Sequence, residues 1–388
     1  MKIGIPREIG PGETRVAVTP SLVPSLTQAR HEVLVQAGAG TAASFTDQGY
    51  LRAGARILPD ARSLYQSCEV ILKVQPPQFH PAFQKDEAEF LREGSAYLGF
   101  LAPVANPDIV KIFMQHRITS FAMEYIPRIS RAQSMDALSS MATIAGYKAV
   151  LLAAERLGKI FPLLMTAAGT VPPAVVMVLG AGVAGLQAIA TARRLGAKVE
   201  AFDPRPAVRD QVRSLGASFI DLEVIEEIES SGGYAREQSE EFLKKEQEII
   251  SKRLPMVDVV ISTAQVFGKQ PPVLLTAEMV RLLHPGSVIV DLAAEGGGNC
   301  ELTRPDQTVE HHGVTILGPV NLPASVPTHA SQLYARNIVN LALHLYPEAN
   351  SFPDLGDAIA KGALITHNGT IANETVKQLL MQKGEVVG

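Results

Sequence analysis

One stretch constrains this chain more than any other. Residues 175–203 read VVMVLGAGVAGLQAIATARRLGAKVEAFD. Val175 to Leu179 is a short apolar, β-branched run, as expected of a strand buried on both faces. Gly180, Gly182 and Gly185 follow in G-x-G-x-x-G spacing, and Val183 to Leu195 continues as an Ala-rich helix that stops before Gly196. Lys198 to Phe202 supplies a second strand with Asp203 at its carboxyl end. In such a unit Gly180 permits the tight turn, Gly182 lets backbone approach a pyrophosphate, and Gly185 allows close helix–strand packing. The free N–H groups and positive dipole end of the helix then favour an anion. Asp203 can accept hydrogen bonds from an adenosine ribose, and it repels a 2′-phosphate, which favours NAD over NADP. Arg205, two residues on, opposes that preference, because a nearby Arg accommodates a 2′-phosphate. A Gly-rich turn that binds nothing is the bland alternative. Strand, turn, helix, strand and acid in sequence argue against it.

The rest of the chain sets bounds. A length of 388 residues predicts two or three domains, and 46% apolar with 19% charged residues describes an ordinary globular protein. A net charge of −4 leaves no electrostatic footprint for nucleic acid. Cys68 and Cys300 stand far apart in no C-x-x-C arrangement, so the expectation is two buried, inert thiols in a reducing compartment. The opening MKIGIPREIGPGETR lacks the apolar core of a signal peptide. No run reads as long enough to span a bilayer, Ala174 to Ala192 coming nearest. The chain is therefore expected to be soluble by itself, with no direct membrane insertion, and still able to belong to a membrane assembly.

Before the glycine turn, strands are predicted at Lys2 to Pro6, Val33 to Gln36, Val70 to Val74, Ala96 to Phe100 and Ile118 to Met123. Helices fall at Pro20 to Gln28 (capped by Thr19), Ala61 to Gln66 and Pro107 to Gln115. This alternation predicts a mostly parallel sheet without a glycine fingerprint of its own. Tyr125 to Ser140, YIPRISRAQSMDALSS, is a polar loop ahead of a helix from Ala137 to Ala154 whose only charge is Lys148. A helix apolar nearly all round is normally buried, and its small residues suit close packing between domains or subunits. Asp136 reads as its N-cap, which leaves Arg128, Arg131 and Gln133 unexplained. A Gly/Pro-marked connection, LLMTAAGTVPP, leads on to the fingerprint.

Beyond Asp203 strands are predicted at Ser218 to Asp221, Val257 to Ser262, Val288 to Asp291 and Val314 to Leu317. Glu223 to Glu240 is an acidic break containing SSGGY, read as a lid more readily than as a surface excursion. Glu241 to Lys252 returns to a solvated helix. Thr328 to Leu345 is a second long helix, and Asp354 to Lys361 and Asn373 to Leu380 are short helical patterns in a closing segment. Two long helices bracketing the fingerprint unit predict an α/β chain of two Rossmann-like, doubly wound parallel-sheet domains, one inserted in the other. The flanking domain takes residues 1–136 and 329–388, the inserted one 137–328. The nine histidines form no H-E-x-x-H, and His311 and His312 are expected on opposite faces of a strand. Neither a G-x-S-x-G elbow nor a G-x-x-x-x-G-K-[ST] loop occurs, so hydrolase and NTPase chemistry are disfavoured and no metal is expected.

Taken together, IPREIGPGETRVAVTP, LKVQPP, YIPRISRAQSMDALSSMATIAGYKAV, the fingerprint, SGGYA, VVISTAQVFGK and VIVDLAAEGGGN resemble the NAD(H)-binding alpha component of proton-translocating NAD(P) transhydrogenase. The resemblance covers nearly the whole chain, and RISRAQSMDALSSMA is its most specific segment. It implies a homodimer that binds NADH between Rossmann-like domains on the cytoplasmic, or matrix-like, face of a membrane. Hydride would pass directly, with Si-type stereospecificity, to NADP⁺ on a separate NADP(H)-binding subunit, coupled to proton movement through a membrane-spanning subunit. Carried over by position, Arg128, Ile129, Ser130, Gln133, Asp136 and Ser139 would surround the nicotinamide and its ribose, with Gln133, Arg128 and Asp136 as the catalytic residues. Gly180, Gly182, Val183 and Gly185 would hold the pyrophosphate, and Asp203, Pro204 and Arg205 the adenosine ribose. Tyr234, with Gly233, would sit on a loop closing over the nucleotide. Ala264 and Gln265 match further contacts, although the family's residue at Gln265 is usually apolar.

Two other readings stand beside this one. A soluble amino-acid dehydrogenase of the alanine dehydrogenase type shares the superfamily's opening motif and fingerprint, and Arg15 and Lys73 match its carboxylate clamp. Its catalytic histidine, however, falls in a strand that here reads YLGFL, and its acidic residue appears as Glu295. A nucleotide-binding module without chemistry of its own is the other.

Overall fold

The computed structural model describes residues 1–221, 239–265 and 270–385. The chain forms two compact units, Met1–Met141 with Ala324–Gly388, and Ala142–Pro323. In the first, apolar runs make strands β1 (Lys2–Ile5), β2 (Glu32–Gln36), β3 (Arg56–Leu58), β4 (Val70–Leu72), β5 (Ala96–Gly99) and β6 (Thr119–Ala122). They pair in parallel in the order β3-β2-β1-β4-β5-β6. Every residue of β4 and β5 is buried, as the uninterrupted apolar pattern requires. The helix expected from Pro20 starts later. Pro20–Leu22 is a 3-10 turn and the α-helix runs Val23–Gln28, because Pro24 has no N–H to donate into an earlier α-turn. Thr19 does not cap it; its hydroxyl meets Ser21 Oγ at 3.0 Å.

Helix α1 (Ala137–Arg156) begins in the first unit and continues into the second. Against the expectation that no run is long enough, this helix, and not Ala174 to Ala192, has the length and apolarity to cross a membrane, and 39% of its most apolar 18-residue window is buried. Its small residues have a packing reason within the second unit. A Cβ on Gly146 would lie 2.1 Å from the carbonyl oxygen of Ala184, so the two backbones touch. Expected full burial is not observed, since Tyr147 stands 40% exposed. The connection that follows is a hairpin, Leu164–Thr166 against Gly169–Val171, with all six strand residues exposed.

The second unit contains β7 (Val175–Leu179), β8 (Lys198–Phe202), β9 (Ser218–Ile220), β10 (Val259–Ser262), β11 (Val288–Asp291), β12 (Thr308–His311) and β13 (Val314–Leu317). Their order is β9-β8-β7-β10-β11-β13-β12, parallel except for the β12–β13 pair. The order reverses between β7 and β10, and helix α2 (Val183–Arg194) leaves the sheet there. His311 and His312 do not face opposite ways. The strand ends at His311, His312 turns through φ 50°, and the rings meet edge to face at 4.5 Å.

The chain then returns to the first unit. Helix α3 (Pro327–Leu345) buries Ala330, Tyr334, Ile338, Leu341 and Leu345. Strand β14 (Leu364–His367), for which the sequence carries no clear pattern, pairs antiparallel with β6, and β15 (Thr370–Ile371) pairs with β14 at the edge. Short helices Ala358–Ala363 and Glu374–Gln382 flank them, capped by the side chains of Asp357 and Asn373. The fold is thus α/β, two Rossmann-like units with one inserted in the other.

Candidate functional site

At the switch point of the second sheet the sequence enforces the turn geometrically. Gly180 has φ 93°, and a Cβ there would fall 2.7 Å from Thr263 Oγ1. A Cβ on Gly185 would lie 1.9 Å from the Gly180 carbonyl oxygen, so helix and turn fit only without side chains. Gly182 differs, because among the described residues a Cβ there meets nothing within 4 Å. That open space lies at the N-cap of α2, where the first-turn amides have no intrahelical acceptors and Val183 is 42% exposed.

Asp203 is buried, and its carboxylate accepts four hydrogen bonds. Oδ2 accepts from Ala181 N–H at 2.7 Å and from Arg205 Nη2 at 2.9 Å; Oδ1 accepts from Arg205 N–H and Nε, both at 2.9 Å. Pro204 is half-buried beside them. On the far side of the turn, Ala264 N–H donates to Asn299 Oδ1 at 3.0 Å, and Gln265 Nε2 donates to the Leu292 carbonyl at 2.9 Å. Gly233 and Tyr234, on the expected lid, lie outside the described residues.

The other expected site residues share one loop of the first unit. Ser130–Met135 is a 3-10 segment, and Arg128, Ile129, Ser130 and Gln133 are exposed on and just before it. Two anchors hold the segment. Arg131 pairs with Asp357, which also accepts from His344 Nε2 at 2.8 Å. The His344 hydrogen bond, with helix-cap amides and Arg131, outweighs burial and holds the Asp357 carboxyl well below its usual range. The Ser134 carbonyl accepts from Asn337 and Asn340 Nδ2 at 2.9 and 3.2 Å. Asp136 is the N-cap of α1, its oxygens taking Ser139 N–H at 2.8 Å and Ser139 Oγ at 2.6 Å. Sequence reasoning missed Thr263, Asn299, Asp357 and His344. The only local signal among them was Asn299, directly after three glycines.

The dehydrogenase-type positions are internally neutralised. Arg15 pairs with Glu13 at 2.6 Å, both buried, and Gln75 Nε2 donates to Glu13 at 2.9 Å. Burial would raise the Glu13 carboxyl, but the Arg15 contacts outweigh it and bring it to about 2. Lys73, fully buried, lies 3.1 Å from Glu8 and 2.9 Å from Glu87. Glu295 Oε1 accepts from Asn321 N–H at 2.9 Å. Both thiols are buried, and burial raises Cys68 to about 12 and Cys300 to about 11.

Comparison with known proteins gives the family. The family models for the alanine dehydrogenase/PNT N-terminal and C-terminal domains match residues 4–145 and 149–374. The chain is 46% identical over 377 residues to the first portion of NAD(P) transhydrogenase subunit alpha of Rhodospirillum rubrum, covering 96% of this chain and 98% of that protein. A solved transhydrogenase from Sinorhizobium meliloti superposes with a TM-score of 0.86 at 40% identity, covering 96% of this chain and 100% of that one. A solved L-alanine dehydrogenase gives 0.83 at 28% identity, with 98% and 99% covered. The chain belongs to the alanine dehydrogenase/PNT family, as a transhydrogenase-type oxidoreductase of the alpha-subunit kind.

Proposed function

We propose that this chain binds NADH and passes its hydride to NADP⁺ held by a separate NADP(H)-binding subunit, with proton translocation carried by a membrane-spanning subunit. The observation that carries the reading is the turn at the sheet's switch point, open at Gly182 and braced by buried Asp203, in a chain so similar to transhydrogenase alpha subunits. The residues fit a dinucleotide. Gly180, Gly182, Val183 and Gly185 offer backbone to a pyrophosphate, and Asp203, Pro204 and Arg205 face an adenosine ribose. Ala264 and Gln265, with Gly233 and Tyr234, are further contacts in the proposal. Arg128, Ile129, Ser130, Gln133, Asp136 and Ser139 act at the nicotinamide and its ribose.

The nicotinamide supplies the hydride chemistry, and this chain supplies position. Asp136, locked as a helix cap, and Arg131, tied to Asp357, hold the loop from which Gln133 reaches out. Gln133 can donate and accept, so it can orient a carboxamide or a ribose hydroxyl. Orientation of the reacting rings is worth far more here than an acid or base. Deamination of alanine is not part of this reading, because Arg15 and Lys73 already face buried carboxylates and β5 carries no histidine. We place the chain at the cytoplasmic, or matrix-like, membrane face through its partner subunits. It is a homodimer in this proposal, supported by exposed Ile160, Leu163, Leu164, Met165 and Val171 on and before the hairpin.

Stereospecific deuteride transfer from labelled NADH tests the function. Transfer to NADP⁺ is expected with the partner subunits and little without them, and NADH formation from alanine by the purified chain is expected to be absent. Equal transfer without partners overturns the reading. Gln133→Asn should lower hydride transfer while leaving NADH affinity nearly intact; matching losses would mark Gln133 as a uniform binding residue. Sedimentation velocity decides the dimer, a monomer at micromolar concentration counting against it.

A further inference from the structure

Asp291 closes β11 and is fully buried. Its Oδ1 accepts from Ala293 N–H at 3.0 Å. Its Oδ2 accepts from the Asn299 and Cys300 amides at 2.7 and 3.0 Å and from the Thr303 hydroxyl at 2.7 Å. Segment 292–299 is thereby bent around the carboxylate. Gly298, at φ 90°, is held so close that a Cβ would fall 2.8 Å from Oδ2.

The bend delivers the side chain of Asn299, itself fully buried, to Ala264. Asn299 Oδ1 accepts from Ala264 N–H at 3.0 Å, while Nδ2 donates to the Ala264 and Pro272 carbonyls, each at 2.8 Å. An amide that accepts from and donates to one residue's backbone does what a neighbouring strand does. Ala264 lies two residues past the end of β10, at Ser262. Its amide would be 3.2 Å from a Cβ placed on Gly180, and neighbouring Thr263 donates Oγ1 to the Gly180 carbonyl at 3.0 Å.

We infer that Asn299, set in place by Asp291, is a positioning residue for the dinucleotide: it fixes the Ala264 backbone against the Gly180 turn. This rests on the reading that the second unit binds NADH. A wall already ordered spares the ligand the cost of ordering it.

Asn299→Asp keeps the Oδ1 acceptor and nearly the same shape, but sets an oxygen against two carbonyl oxygens. In the full chain the NADH Kd should rise at least tenfold by fluorescence titration. In the complete complex KM for NADH should rise in parallel, with kcat at saturating NADH within twofold of wild type, a split that general loosening of the fold does not produce. A Kd within twofold of wild type, or a fall in kcat with KM unchanged, overturns the proposal. If the variant does not fold, amide exchange in the wild-type chain decides. The Ala264 N–H should be strongly protected without nucleotide, and exchange at the rate of an exposed amide overturns the brace. Failure of wild-type chain to bind NADH sinks the nucleotide reading instead, while the exchange result still judges the brace.

Discussion

At the scale of single residues, the proposed function gives Asp203 and Arg205 the choice of nucleotide at the turn. The Asp203 carboxylate spends three of its four hydrogen bonds on Arg205 and the fourth on Ala181. Arg205, only 15% exposed at its side chain, is thereby withheld from any phosphate. Asp203→Asn removes the repulsion of a 2′-phosphate and releases the guanidinium. NADH affinity should fall about tenfold and NADPH affinity rise, shifting their ratio by about 1.4 kcal/mol or more. Parallel titrations of both nucleotides check this, and an unchanged ratio means Arg205 does not reach. Gly180, Gly182, Gly185 and Asp203 were legible because their spacing encodes the turn. Asn299 and Thr263 were not, because their partners lie 35 and 83 residues away in the chain.

Among the elements, α1 and α2 show how a composition becomes a contact. The Ala-rich faces brought Gly146 against Ala184 so closely that Gly146→Ala must push the helices apart. Overpacking of this kind costs about 1–3 kcal/mol, and chemical denaturation should show the loss in the second unit with a lower midpoint. No change in midpoint would mean α1 shifts freely along α2. The long helices and the buried parallel strands were legible from their periodicity and unbroken apolar runs. Three short strands lacking an apolar run were not. Arg56–Leu58, Thr308–His311 and Thr370–Ile371 are two to four residues long, too brief for a pattern, and pairing rather than propensity makes them strands. The exposed hairpin at Leu164–Val171 reads as a plain connection for the same reason.

For the whole molecule, buried Glu13 of the first unit contributes to the response to acid. Glu13 stays ionised in the folded chain down to about pH 2 against its ordinary 4.5. Between those values the folded state binds fewer protons than the unfolded one, so stability falls as pH drops from 4.5 toward 2 and is fully present above. Glu13→Gln leaves Arg15 buried opposite a neutral partner and should cost about 3–5 kcal/mol near neutrality. Its melting curves should also vary less over that acid window than wild type. Parallel curves for both proteins would remove Glu13 from the account. The nesting of one unit in the other was legible from the two long helices bracketing the fingerprint. That the chain's last strands complete the first sheet was not, since β14 and β15 carry no signal of their own partner.

That late return fixes an order of events during synthesis. Everything from Ala142 to Pro323 emerges from the ribosome before Leu364–His367 exists to cover β6. Until then β6 presents a bare row of amides and carbonyls, the kind of template on which nascent chains stick to one another. A chaperone shielding that rim, or rapid synthesis of the final segment, would therefore govern the yield of correctly folded protein.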